Sequence, residues 1–144
     1  MRTESQIEIK VKGSRFIGET CLVASVDEAV ARLAVVRKRE YQATHHCYAY
    51  VTGWPDQVGF KYSDDGEPSG TAGRPIYDVI TGHALTNLLV VVTRYFGGTK
   101  LGTGGLVRAY SEAARAAVEA SGRHQQFLTR DYRFVLEFAR YDQW

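Results

Sequence analysis

The sequence predicts one domain that combines helices and strands. A capping box at Ser25–Glu28 opens a helix, an alternating apolar pattern over Ile7–Val11 indicates a strand, and a continuous apolar run over Asn87–Phe96 indicates a buried strand. The 144 residues suit a single domain, since domains cluster at about 100–150 residues. No apolar run approaches the ~20 residues that span a bilayer, so we expect no contact with a membrane.

The first part of the chain predicts two strands and a helix. Ile7–Val11 alternates apolar and polar residues, and the turn residue Gly13 leads into a second extended run over Arg15–Val23. The helix begins after the N-cap Ser25 and ends near Tyr41. Its last turn is basic and suits the negative end of the helix dipole. We therefore interpret these cations as a solvated helix end.

A hairpin and a short helix are predicted next. His46–Thr52 is aromatic and β-prone, Gly53–Gly59 has the composition of a turn, and Phe60–Tyr62 is the returning strand. After a polar loop, Pro75 is suited to the first position of a short helix over Ile76–Gly82. The returning strand and the short helix flank a loop whose sequence has neither helical nor strand periodicity.

The third part contains the clearest strand-to-helix pattern. Asn87–Phe96 is rich in β-branched residues and predicts a central strand covered on both faces. A glycine-rich segment follows, and then a helix over about Leu106–Ser121, with Gly122 as its C-terminal stop. Alternating residues over Tyr132–Phe138 predict one further strand.

The net charge of +2 conceals two oppositely charged loops. The polar loop before the second helix is acidic, and its candidate functional side chains are Asp64, Asp65, Glu67, Ser69 and Thr71. The carboxylates could bind Mg²⁺ or act in general acid–base chemistry. Equally, Asp65 could stabilise a local turn beside Gly66 and Pro68. Both interpretations remain open from the sequence.

The second loop is basic and rich in glycine. Glycines allow backbone N–H groups to approach an anion, a helix N-terminus adds partial positive charge, and Lys100 adds a full charge. The candidate binding residues are Arg74, Arg94, Lys100, Gly102, Gly104 and Gly105. The same glycines could instead permit a tight turn and close packing. The spacing matches neither a Walker A loop nor a dinucleotide fingerprint.

His45, His46 and Cys47 form a cluster that invites a metal or nucleophile interpretation. Adjacent strand residues point to opposite faces, however, so the two histidines would rarely share one ion. No CxxC or HExxH spacing supports a zinc site. A buried cysteine beside hydrogen-bonded histidines is the simpler interpretation. We expect no metal, no cofactor and no catalytic set.

Three segments resemble the signature blocks of the YigZ/IMPACT family, in that family's order. They are ATHHCYAY (Ala43–Tyr50), YSDDGEPSGTAGRPI (Tyr62–Ile76) and VVVTRYFGGTKLGTGGLVRAYSEAA (Val90–Ala114). The resemblance implies an α+β fold, a two-layer sandwich of a mainly antiparallel sheet with helices on one face. That fold is similar to domain IV of the translocating elongation factor and to the second domain of a small-subunit ribosomal protein.

Bacterial members of the family normally carry a second, ferredoxin-like domain. The resemblance therefore implies an N-terminal domain over residues 1–127 and the start of a truncated C-terminal domain over residues 128–144. An unpaired strand with apolar side chains tends to pair with another strand. We expect strand-mediated self-association through residues 131–144 as one outcome.

The resemblance also implies a role around translation. Eukaryotic relatives restrain the starvation-activated kinase of initiation factor two by competing for its activator, and the elongation-factor-like architecture suggests contact with RNA or the ribosome. We expect a non-enzymatic cytoplasmic regulator that binds RNA, the ribosome or a regulatory protein. Its polar, glycine-rich face would use Arg74, Arg94 and Lys100 to contact phosphates or carboxylates. The alternative is a Mg²⁺-dependent enzyme acting on a nucleotide or another phosphorylated small molecule.

Overall fold

The computed structural model describes residues 3–53 and 59–122. The elements are β1 (Ser5–Val11), β2 (Ser14–Leu22), α1 (Val26–Arg39), β3 (His45–Thr52), β4 (Gly59–Ser63), α2 (Gly73–Gly82), β5 (Leu88–Tyr95) and α3 (Gly102–Gly122). The predicted hairpin turn lies largely outside the described residues. So do the predicted second-domain segment, residues 128–144, and the predicted self-associating strand, residues 131–144. In the described part, no helix combines the length and apolar character that crossing a membrane requires.

The five strands form one sheet in the order β1-β2-β5-β3-β4, and every neighbouring pair is antiparallel. β1 with β2 and β3 with β4 are local pairs, and β5 joins them by pairing with β2 on one side and β3 on the other. All of β5 except Tyr95 is buried. The prediction of a central strand covered on both faces is therefore confirmed.

The helices cover both faces of the sheet. Val90 and Val92 of β5 pack under α2 and α3, whereas Leu89 and Val91 point to the opposite face, where Leu33 of α1 packs on them. The α+β class and the antiparallel sheet are confirmed, and the arrangement of all helices on one face is corrected. Because successive strand residues alternate between faces, a strand that is apolar throughout needs cover on both sides.

The start of α1 lies where the sequence predicts it, whereas the start of α3 does not. The capping box is formed, since Glu28 N–H donates to Ser25 Oγ at 3.1 Å and the Glu28 carboxylate accepts from Ala24 N–H at 2.5 Å. α3 begins at Gly102, a full turn before the predicted start. Gly104 and Gly105 therefore lie within the first turn of α3 and not in a loop before it. A helix tolerates glycine in its first turn, where packing of the apolar face decides the start.

Candidate functional site

A buried ion pair connects the acidic loop to the sheet. Arg94 of β5 donates from Nη1 to Glu67 Oε2 at 2.7 Å and from Nη2 to Ser14 Oγ at 3.3 Å. Tyr110 of α3 donates its hydroxyl to the same Glu67 oxygen at 2.5 Å. Arg94 and Glu67 are only 4% and 8% exposed. The acidic loop is therefore held against β5 by a charge-assisted contact inside the protein.

This burial corrects the predicted role of Arg94. Its guanidinium lies 5.5 Å from the ring centre of Phe16 and 5.3 Å from that of Phe96, and too little of its surface is exposed to bind a phosphate. Its Nε has no hydrogen-bond partner among the described residues. Position 94 falls on the same face of β5 as Val92 and Val90, so its side chain is directed under α3. Arg94 is a structural residue in this conformation.

Asp64 holds the start of α2. One carboxylate oxygen accepts from the N–H groups of Ala72 at 3.1 Å and Gly73 at 2.8 Å, and the other accepts from Gly70 N–H at 2.9 Å. Backbone N–H groups at a helix start have no intrahelical acceptor, so this carboxylate supplies one. Asp64 therefore serves local structure and does not face outward towards a cation.

Asp65 and Thr71 of the acidic loop also form hydrogen bonds within the protein. Asp65 accepts from His46 N–H at 2.7 Å and lies 3.7 Å from Arg37, with a backbone φ of 42°. Thr71 donates its hydroxyl to the Pro68 carbonyl at 2.6 Å, whereas Ser69 is exposed. Across the described ranges, no three His, Cys, Asp or Glu side chains are grouped to hold one metal ion. The geometry thus gives the Mg²⁺ interpretation of this loop no support.

His45 and His46 point to opposite sides of β3, as their adjacency predicts. His45 Nδ1 lies 2.8 Å from the Asp65 carbonyl and Nε2 lies 3.6 Å from Glu67, while His46 Nε2 lies 2.9 Å from the Glu40 carbonyl. Each imidazole therefore has a separate backbone partner.

Cys47 is buried and is a poor nucleophile. Its thiol donates to the Asp64 carbonyl at 3.1 Å, and burial raises the pKa of the thiol well above its usual range. Burial likewise raises the pKa of the Tyr110 hydroxyl. Because only the thiolate attacks, a thiol held neutral in this way does not act as a catalytic nucleophile at neutral pH.

The glycine-rich segment serves the fold at several positions. A Cβ at Gly97 would lie 2.1 Å from the Gly13 backbone, and Gly98 and Gly102 have φ values of 88° and 77°. These three positions require glycine for close approach or for a left-handed backbone. At Gly104 the nearest atom to an added Cβ is Arg108 Nη1 at 3.6 Å, so the fold makes no such demand there. A binding role for Gly102, Gly104 and Gly105 stays a prediction.

An open groove between α2 and α3 carries exposed cations. It is lined by Gly70, Arg74, Pro75, Asp78, Val79, Gly82, His83, Val107, Ser111 and Arg115. Arg74 pairs with Asp78 at 2.8 Å, and this contact is the main reason that the pKa of Arg74 is raised. Lys100, Arg108 and Arg115 are exposed and form no ion pair within residues 3–53 and 59–122. We use the name α2–α3 surface for the groove cations Arg74 and Arg115 together with Arg108, which is on the same face of α3 as Arg115, and Lys100, which precedes that helix.

Arg115 was not among the residues that the sequence predicted for the site. The signal that could have identified it is its spacing, because Arg108 and Arg115 are two helical turns apart and share one face of α3. The structure places Arg115 with the predicted Arg74 along one groove.

Comparison with known proteins gives the family. Residues 12–118 match the Impact N-terminal domain. The chain belongs to the IMPACT family. The resemblance found in the sequence is thereby confirmed.

Two curated relatives illustrate the similarity. The IMPACT family member YvyE of Bacillus subtilis (strain 168) is 43% identical over 123 residues, which cover 85% of this chain and 56% of the relative. The IMPACT family member YigZ of Escherichia coli (strain K12) is 39% identical over 132 residues, which cover 90% and 64%. The chain thus spans less than two thirds of the length of these relatives.

Solved structures share the fold. A crystal structure of a protein described as hypothetical is 42% identical, with a TM-score of 0.75, and the match covers 81% of this chain and 57% of that one. The two-domain translational regulator Yih1 is 26% identical, with a TM-score of 0.53, and the match covers 84% and 46%. These likenesses agree with the antiparallel sheet and helices described above.

Proposed function

We propose that this chain acts as a regulator around translation and that its α2–α3 surface binds RNA through phosphate contacts. The family supports a role of this kind, because the structurally similar Yih1 is described as a translational regulator. Such a role implies a location in the cytoplasm. It requires no catalytic group, in keeping with the structural partners found for Asp64, Asp65 and Cys47.

One observation carries the proposal: the carboxylates of the acidic loop are used inside the protein while neighbouring cations face solvent. Glu67 is bound by Arg94 and Tyr110, and Asp64 is bound by backbone amides. The acidic loop therefore does not neutralise the α2–α3 surface. A local positive surface remains on a chain whose formal net charge is only +2.

The size of this surface predicts weak and salt-sensitive binding. Each phosphate neutralised on a single strand contributes about 0.7 to the slope of log affinity against log salt concentration. Lys100, Arg108 and Arg115 together then give a slope of about 2. Such a protein would contact RNA without sequence preference from these side chains, because phosphate contacts position a nucleic acid and do not read its bases.

Fluorescence anisotropy of a labelled oligouridine, titrated at several salt concentrations, tests the proposal. The triple variant Lys100→Gln, Arg108→Gln, Arg115→Gln should lose most of the binding and most of the salt slope. Lys38→Gln is the matched control, since Lys38 is an exposed cation in α1, on the other face of the sheet. Binding that the triple variant retains, or that does not respond to salt, would contradict the proposal.

A further inference from the structure

An aromatic cluster lies on the surface where the sheet ends. Phe60 and Tyr62 are alternate residues of β4, and the ring of Tyr77 of α2 lies between them, with centroid distances of 5.4 Å to Phe60 and 5.1 Å to Tyr62. Phe60 is 58% exposed and Tyr62 is 40% exposed. Large aromatic side chains grouped in this way and left exposed mark a contact surface more often than scattered apolar residues do.

The cluster lies on the same face of the sheet as α2. Phe60 and Tyr62 pair in register with Val51 and Ala49, whose side chains belong to the core beneath α2 and α3. β4 is an edge strand of the sheet in the described part of the chain. A ligand can therefore approach the rings both from the α2 face and from the sheet edge.

Arg74 connects this cluster to the α2–α3 surface. It stands one helical turn before Tyr77, it lines the groove that contains Arg115, and the pKa of its guanidinium is raised by Asp78 first and by Tyr62 second. The aromatic rings thus adjoin the groove through Arg74. A polyanion held at the groove would extend over the rings.

We propose that Phe60, Tyr62 and Tyr77 form a platform on which unpaired RNA bases stack, which makes the chain a single-strand binder. This inference rests on the proposed function, because the α2–α3 surface holds the phosphates of the same strand. Proteins that bind single strands combine a positively charged groove with exposed aromatic rings, since every base has a π-face. In a duplex, by contrast, the base faces are already stacked on one another.

The chemistry of the surface favours a nucleic acid over a protein as the occupant. The exposed cluster on β4 and α2 is aromatic, and the groove beside it contains the cations Arg74 and Arg115. Asp78, the acidic residue next to them, is paired with Arg74. A strand with phosphates on one side and bases on the other complements both parts of this surface.

Two labelled ligands separate the platform from the phosphate contacts. Oligouridine supplies phosphates and bases, and an abasic oligonucleotide of the same length supplies phosphates alone. In the full chain, Phe60→Leu should weaken oligouridine binding roughly tenfold, the factor for loss of one stacked base, and leave abasic binding unchanged. Phe60→Trp should retain the binding of oligouridine. Tyr41→Leu, an exposed aromatic beyond the end of α1, is the control and should have no effect.

The outcomes distinguish the platform from the proposed function. Oligouridine binding that the triple cation variant weakens but Phe60→Leu leaves unchanged would overturn the platform alone. Equal weakening of both ligands by Phe60→Leu would also overturn it. A wild-type dimer that Phe60→Leu converts to a monomer, measured by light scattering, would assign the rings to a second copy and would overturn it as well. Absence of binding to either ligand would overturn both proposals. Circular dichroism melting confirms that each variant is folded.

Discussion

Replacing Glu67 by glutamine should destabilise the fold strongly. The glutamine keeps the shape, and its carbonyl oxygen can still accept from Arg94 and Tyr110, but it leaves the buried Arg94 guanidinium without its counter-charge. Removing one partner of a buried pair costs about 3–5 kcal/mol. The remaining contacts of Arg94, with Ser14 and two aromatic rings, favour the lower end of that range. For a domain of this size, a loss of ~3 kcal/mol corresponds to a fall in Tm of about 10 °C.

The assay is urea unfolding followed by circular dichroism, on Glu67→Gln, Arg94→Met and the double variant. The double variant should lose less free energy of unfolding than the sum of the single losses, because Arg94→Met removes the charge that Glu67→Gln leaves unpaired. Glu8→Gln is the control, since Glu8 pairs with Arg15 at the surface and should change stability far less. A Glu67→Gln loss as small as the Glu8→Gln loss, or strict additivity in the cycle, would refute the reasoning.

Three further predictions concern stability. Gly97→Ala should destabilise the chain by several kcal/mol because its Cβ meets the Gly13 backbone. Gly104→Ala should stabilise it by at most about 0.5 kcal/mol, because Gly104 lies in the first turn of α3, where less of the interior difference in helix propensity applies. Thermal melts compare the two variants. Asp64→Ala should lower the free energy of unfolding by about 2 kcal/mol through loss of the α2 cap, and equal stability to the wild type in urea would contradict this. Burial raises the pKa of the Cys21 thiol from 9.0 to about 11. The contribution of this neutral thiol to the free energy of unfolding is therefore fully present below pH 9 and is lost as the pH rises to about 11. The free energy of unfolding should therefore fall less over that range in Cys21→Ala than in the wild type, and parallel curves would count against the assignment.

Much of the fold follows from local patterns in the sequence. The capping box at Ser25, the alternation of β1 and the continuous apolar run of β5 each predict an element that the structure contains. The placing of α1 on the opposite face could not be obtained in this way. It depends on which side chains of β3 and β5 are left to be covered, and this follows from the pairing of strands distant in sequence.

The candidate site was less predictable than the fold, because the solvent exposure of each side chain decides whether that side chain can bind a ligand. Arg94 and Lys100 have similar chemistry and are close in sequence, yet Arg94 is buried against Glu67 and Lys100 is exposed. The alternation of β5 indicates which face Arg94 occupies, but only the tertiary structure shows that Tyr110 and Glu67 meet there. Arg94, one of the residues predicted to contact a phosphate, is instead the residue that joins the acidic loop to the sheet.

The position of β5 has a consequence for how the chain is made. The β1–β2 and β3–β4 pairs are each local, but the strand that joins them is the last of the five in chain order. A nascent polypeptide that ends before Leu88 thus holds two separate hairpins that lack both the strand that joins them and α3. Pairings over long sequence separations form slowly, and exposed strand edges aggregate. We therefore expect the sheet to be completed only after β5 has been synthesised.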